Sequence, residues 1–177
     1  GVTAGALEEV PGTGLHYWIQ GRAGAKDNMR MRGQTLTLPA ALHPSTRIAL
    51  VGASNNGSFS GDLLLLLRDR STGAESTVTQ NISMPDWCSG ANPGQGATSL
   101  GVPPQRGTKT GSENATCGLY STAVIKVPEG QDLLGLTLPD KDKMHLFAVA
   151  SDAPMWQDTG VEATSSATTV DLGTPVT

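Results

Sequence analysis

The sequence predicts an all-β protein, an antiparallel β-sandwich of about eight strands with one long loop stapled by a disulfide. Three observations point there. Strand-sized apolar runs recur between turn residues at sandwich spacings. Several of these runs alternate apolar and polar residues, the mark of a strand with one wet face. The composition holds 22 Gly and 11 Pro among many Thr and Ser, and only 16% charged residues, which suits short strands joined by turns. Helix formers in amphipathic register are scarce. At 177 residues the chain is long enough for one well-buried core and short for two. No fixed-period repeat is present.

In chain order the expected strands are Leu15–Gln20, Gln34–Leu38, Thr46–Gly52, Gly61–Asp69, Glu75–Ile82, Tyr120–Val127, Leu133–Leu138 and Met144–Ala150. "QTLTL" and "AVIKV" alternate cleanly. "RIALVG" and "DLLLLLRD" are apolar on both faces, as central strands covered on each side are. The leucine run has helix propensity, but it is short and flanked by Ser60-Gly61-Asp62 and Arg70-Ser71-Thr72-Gly73, which favours strand. "SNNGSFSG" from Ser54 to Gly61 reads as a hairpin connection, with Asn and Gly supplying positive φ. "VPEGQD" and "LPDKDK" read as turns begun by proline.

Residues 1–153 are taken as the sandwich domain. Residues 154–177 form a Thr/Ser-rich tail or linker by composition. The segment Ser89–Gly118 is too long for an ordinary connection in a compact domain, so a functional loop is expected there. It opens at "SMPDWCSG", where Asp86, Trp87 and Cys88 follow the end of a strand.

The chain has two cysteines, Cys88 and Cys117, both in polar, loop-like sequence. Free thiols there would be exposed liabilities, so a disulfide between them is expected. A disulfide implies an oxidising, extracytoplasmic or secreted setting at the cell surface. No targeting segment is read at Gly1, as in a mature or excised chain. Net charge is −4 and no Lys/Arg run stands out. Nucleic acid and anionic membranes are therefore poor partners. The longest apolar run, Leu63–Leu67, falls far short of the roughly 20 residues that cross a bilayer, so no membrane-spanning segment is expected.

Catalytic and metal motifs are absent. His16, His43 and His145 share no metal-ligand spacing, and H-E-x-x-H, C-x-x-C, G-x-S-x-G and the phosphate-binding glycine loop do not occur. His145, in "KMHLFAVA", reads as a packed strand residue, whereas His16 beside Tyr17 and Trp18 could face a ligand. Asp140 and Asp142 alternate with lysines and read as a solvated hairpin tip. Asp27 and Asp86 stand where the chain enters or leaves strands; there a carboxylate either bonds local backbone N–H groups or contacts a sugar or calcium. Only Tyr17, Trp18, Trp87, Tyr120 and Trp156 are open to stacking on a sugar ring; packing in the core is the plainer reading of each, and Trp87 is the best exception because it borders the long loop.

Four stretches taken together, "AKDNMRMRGQTLTLP", "RIALVGASNNGSFSGDLLLLLRD", "SMPDWC" and "LTLPDKDKMHLFAVA", resemble an accessory β-sandwich of secreted actinobacterial glycoside hydrolases, including α-mannosidase-like and fucosidase-like proteins. The resemblance runs from about Ala25 to Ala150 in the correct order. It implies a galactose-binding-like jelly roll that associates with carbohydrate without catalysing a reaction. Asp27 and Asn28 match the family's D-N, Gly52 to Gly57 its glycine-asparagine turn, and Asp86 and Trp87 its D-W. The chain departs from the pattern in its cysteine-bounded Gly/Pro loop and its Thr/Ser tail.

The expected function is thus a non-catalytic, extracellular carbohydrate-binding or cell-wall-associated module, accessory to a glycan-active enzyme. Its candidate binding residues are Trp87, Asp86, Asp27, Asn28, Tyr17 and Trp18, and its expected partners a glycan or cell-wall polysaccharide and a neighbouring catalytic domain. The alternative is a structural module that packs on a neighbouring domain or protein. A small hydrolase built on Asp86 and a distant carboxylate is a third, lesser reading, because no nucleophile–base pair is recognisable. No cofactor is expected, beyond a structural calcium ion for which Asp27 and Asn28 are the local oxygen ligands and no third ligand is evident.

Overall fold

The computed structural model describes residues 5–19, 28–90, 93–94, 96–101, 105–108, 111–114 and 117–154. The chain is an antiparallel β-sandwich. Twelve strands lie in a sheet of eight and a sheet of four. The larger sheet contains β1 (Leu7–Val10), β2 (Leu15–Trp18), β3 (Met29–Arg32), β5 (Arg47–Ser54), β8 (Thr98–Gly101), β11 (Leu119–Ser121), β12 (Ile125–Lys126) and β14 (Asp140–Ser151). The smaller is ordered β4-β13-β6-β7, from β4 (Thr35–Thr37), β13 (Gln131–Thr137), β6 (Phe59–Asp69) and β7 (Glu75–Met84). A separate hairpin joins β9 (Gln105–Thr108) to β10 (Gly111–Asn114).

Two cores explain why "RIALVGAS" is apolar on both faces. Ile48 and Leu50 of β5 face the smaller sheet, packing with Leu63, Leu65 and Leu67 of β6 and Leu133 and Leu136 of β13. Ala49 and Val51 point the other way, into a second cluster with Val10, Leu15, Tyr17 and Ile19 from the first hairpin. Strand β14 runs beside β5 and keeps both faces apolar by a bulge between Leu146 and Ala148. Met144, Leu146 and Val149 join the inner core, while Ala148 and Ala150 join the outer one. An extra residue in one strand shifts the alternation by one, so the bulge reassigns the faces without breaking the pairing.

All eight expected strands are found, with ends shifted by a few residues. Tyr120–Val127 splits into β11 and β12, because Thr122 turns its hydroxyl onto the ladder: its Oγ1 accepts the Leu50 amide at 3.0 Å while its own amide donates to the Leu50 carbonyl at 2.9 Å. A side-chain oxygen there competes with the regular backbone pairing. Asp140 and Asp142 are exposed as expected, but they lie in β14, which begins there and pairs with β3 opposite Arg32 and Met31. The long segment after Trp87 is not structureless either. It holds β8, which pairs with β11 at the edge of the larger sheet, and the β9–β10 hairpin. The disulfide between Cys88 and Cys117 is present. The tail expected over 154–177 lies outside the described residues save for Pro154.

Candidate functional site

The Asn-Gly turn between β5 and β6 organises one end of the sandwich. Asn56 adopts φ 60 and Gly57 φ 116, left-handed values that Asn and Gly accept at least cost. The turn is gripped from both sides. On one side the Ser54 amide donates to the Pro85 carbonyl at 2.8 Å, and the Trp87 amide donates back to the Ser54 carbonyl at 2.9 Å. On the other, the Asn55 amide donates to the Lys143 carbonyl at 2.9 Å. Ser54 is fully buried, and its hydroxyl reaches the carbonyls of Gly57, Met84 and Pro85.

Asp86 is consumed by this framework. Its carboxylate accepts the Gly57 amide at 2.6 Å and the Cys88 amide at 2.9 Å. Its own amide donates to Ser58 Oγ at 3.1 Å. Of the two roles open to it in the sequence, the structure shows the local backbone bonds. Trp87 follows at the surface, half-buried. Its carbonyl accepts the Gly118 amide at 2.7 Å and the Tyr120 hydroxyl at 3.3 Å, and that hydroxyl also reaches the Gly90 carbonyl at 3.1 Å. Burial, with Asp86 nearby, raises the Tyr120 pKa, so this phenol stays a donor at any physiological pH. The disulfide fixes Cys88, the residue after Trp87, to Cys117, two residues before β11, the strand that brings Tyr120.

Across the turn, His145 links two asparagines. Its Nδ1 lies 2.8 Å from Asn28 Oδ1 and its Nε2 lies 3.0 Å from Asn55 Nδ2. A carboxamide oxygen only accepts, so Nδ1 carries the proton and Nε2 accepts from Asn55. The ring is thereby held as one neutral tautomer. Its pKa is lowered, first by burial and then by Arg30 and Lys143, with Asp142 opposing them. Beside this chain a shallow groove of about 210 Å³ is lined by Phe59, Asp140, Lys141, Asp142 and Lys143.

Of the sequence-predicted residues, Asn28, Asp86 and Trp87 therefore meet around one turn. Asp27 lies outside the described residues. Tyr17 is a correction: it is only 2% exposed, in the outer core, where its hydroxyl pKa is pushed up to about 12 by burial with help from Glu8. A buried ring has no face to offer a sugar. Trp18, the next residue, is exposed on the opposite side of β2, but β2 meets β14 at Ser151, well along the strand from His145. Sequence reasoning missed Asn55 and His145 as members of the site. The "SNNGS" turn was legible as a turn; nothing in "KMHLF" showed that its histidine would reach it. Asn28 Oδ1 bonds to His145, and among the described residues no group of three or more His, Cys, Asp or Glu is placed to hold a metal. Comparison with protein-family models and with curated proteins found no match to this chain.

Proposed function

We propose that this protein is a non-catalytic carbohydrate-binding module that works outside the cytoplasm, with its recognition surface around Trp87, Asn28, Asn55 and His145. One observation carries the reading. Trp87 is half-buried, not sealed in the core, while its backbone is pinned on both sides, by Ser54 through its amide and by Gly118 and Tyr120 through its carbonyl. A pinned aromatic loses little entropy when a sugar ring stacks on it. The carboxamides of Asn28 and Asn55, which meet at His145 across the turn from Trp87, are the kind of planar donor–acceptor groups that hydroxyl pairs of a sugar engage. The disulfide supports the extracytoplasmic setting.

The test is retention of the folded protein in polysaccharide affinity gels, alongside a glycan array, for the wild type and Trp87→Ala. The expected result is retention on at least one glycan, lost in the variant with a stability change below roughly 3 kcal/mol, since the ring is only half-buried. No retention by the wild type on any glycan would overturn the proposal. It would favour the alternative, a module that packs on a neighbouring domain.

A further inference from the structure

Strand β7 lies at the end of the smaller sheet, and among the described residues nothing pairs with its outer edge. It is exposed on both faces over seven consecutive residues, Glu75 to Asn81, whereas its partner β6 is buried at Leu63, Leu65 and Leu67. Edge strands in monomeric proteins are usually blunted by Lys, Pro or a bulge, because a bare ladder of N–H and C=O groups templates another strand. The run "ESTVTQN" has none of these protections. It pairs with β6 residue for residue with no register shift, and it exposes Val78 at 38%.

We propose that β7 is a self-association edge: two copies of this chain pair antiparallel through Glu75–Asn81 about a two-fold axis at Val78. The register follows from two constraints. Facing residues of a continuous sheet share a face, so the axis must fall on a residue rather than between two. The midpoint of the exposed run is Val78. That axis sets Val78 against its own copy, Thr77 against Thr79, Ser76 against Gln80 and Glu75 against Asn81. The only charge in the run, Glu75, therefore meets an amide and never its own copy. These are the pairings that stabilise sheets, and the same sheet already uses them. Thr35 and Thr137 hydroxyls lie 2.8 Å apart, Ser60 and Ser83 hydroxyls 2.6 Å, and Asn81 Nδ2 donates to Asp62 Oδ1 at 2.9 Å. The two smaller sheets become one continuous sheet. A strand pair alone is smaller than a standard interface, so association is reversible with concentration.

Sedimentation of the full chain over a concentration series tests the proposal. The mass is expected to rise from 18.2 kDa toward twice that value. Thr77→Lys with Thr79→Lys places lysine opposite lysine in both off-axis pairs and should give monomer at every concentration. Thr77→Glu with Thr79→Lys places opposite charges there instead and should restore the dimer. Both positions are solvent-facing, so folding is retained, and circular dichroism checks this. Val78→Cys, opposite its own copy, should cross-link under mild oxidation about tenfold or more faster than Thr79→Cys, whose copies lie beyond disulfide reach. Wild-type monomer throughout, as when another strand or residues 155–177 occupy the edge, overturns the proposal. So does a dimer indifferent to the lysine pair, or equal cross-linking at 78 and 79.

Discussion

Asp86 and Gly57 are joined by a hydrogen bond of 2.6 Å from the glycine amide to the carboxylate, closing the β5–β6 turn onto the chain that leads to Trp87. The partner oxygen accepts from Cys88, so one side chain sets both the turn and the start of the disulfide loop. Asp86→Ala strands two amides at once. A loss of about 1–3 kcal/mol is expected, the range for bonds to a charged acceptor discounted for partial exposure. Urea denaturation measures it, and a change under about 0.5 kcal/mol, the scatter of ordinary surface substitutions, would show that the bracket is dispensable.

Gly52 is required by close approach rather than by a turn. A Cβ there would clash with the His145 carbonyl oxygen and sit 2.8 Å from Met84 Sδ and Cε. Methionine can move, but the paired backbone of β14 cannot. Gly52→Ala should cost about 3 kcal/mol or more, above the usual overpacking penalty because backbone must shift. A thermal melt within a degree or two of wild type would contradict this geometry.

His145 makes stability depend on pH near neutrality. Its pKa in the fold is lowered from 6.5 by burial and by Arg30 and Lys143. A histidine with a depressed pKa contributes stability that is fully present above the unfolded value and is lost as pH falls through 6.5 toward the folded one. Protonation would also turn Nε2 into a donor facing the Asn55 amide. Stability should therefore decline between about pH 7 and 5, and His145→Gln should flatten that decline. Urea midpoints at several pH values decide it; parallel curves for the two proteins would place the dependence elsewhere.

The disulfide joins residues separated by 29 positions in the sequence. Chain entropy assigns such a closure about 3–4 kcal/mol. Cys88→Ser with Cys117→Ser should lower stability by up to that amount while leaving the sandwich folded, because the inner core draws no residue from the loop. Loss of the strand signature in circular dichroism on reduction would show that the loop is integral to folding.

Strand existence was legible wherever apolar residues alternate or run together, because burial in a sandwich imposes that pattern. Strands β1, β8, β9 and β10 escaped notice since sequences such as "GSEN" carry little apolar signal; "MRMR" in β3 alternates, but over four residues only, and its place is set by its partner β14. At the site, Asp86 and Trp87 stood out through Pro85 and Cys88, which announce a strand end. That Tyr17 is buried while Trp18 beside it is exposed was not legible. It depends on a second core on the outer face of β5, and two packed faces cannot be told from one in a four-residue strand.

Strand β14 pairs with β2, β3 and β5, so the middle of the larger sheet is made from the last strand among the described residues. On the ribosome, residues 1–139 emerge with β5 unpaired along one side and its apolar residues bare. Local hairpins such as β6–β7 can close early, but the sandwich waits for a strand some ninety positions downstream of its neighbour, and such long-range pairing is slow. The larger sheet therefore closes only after β14 is available to pair. Nascent chains arrested before Asp140 should remain protease-sensitive, and chains arrested with Ser151 well clear of the exit tunnel should become resistant. Resistance in the shorter chains would mean that β5 finds another partner first.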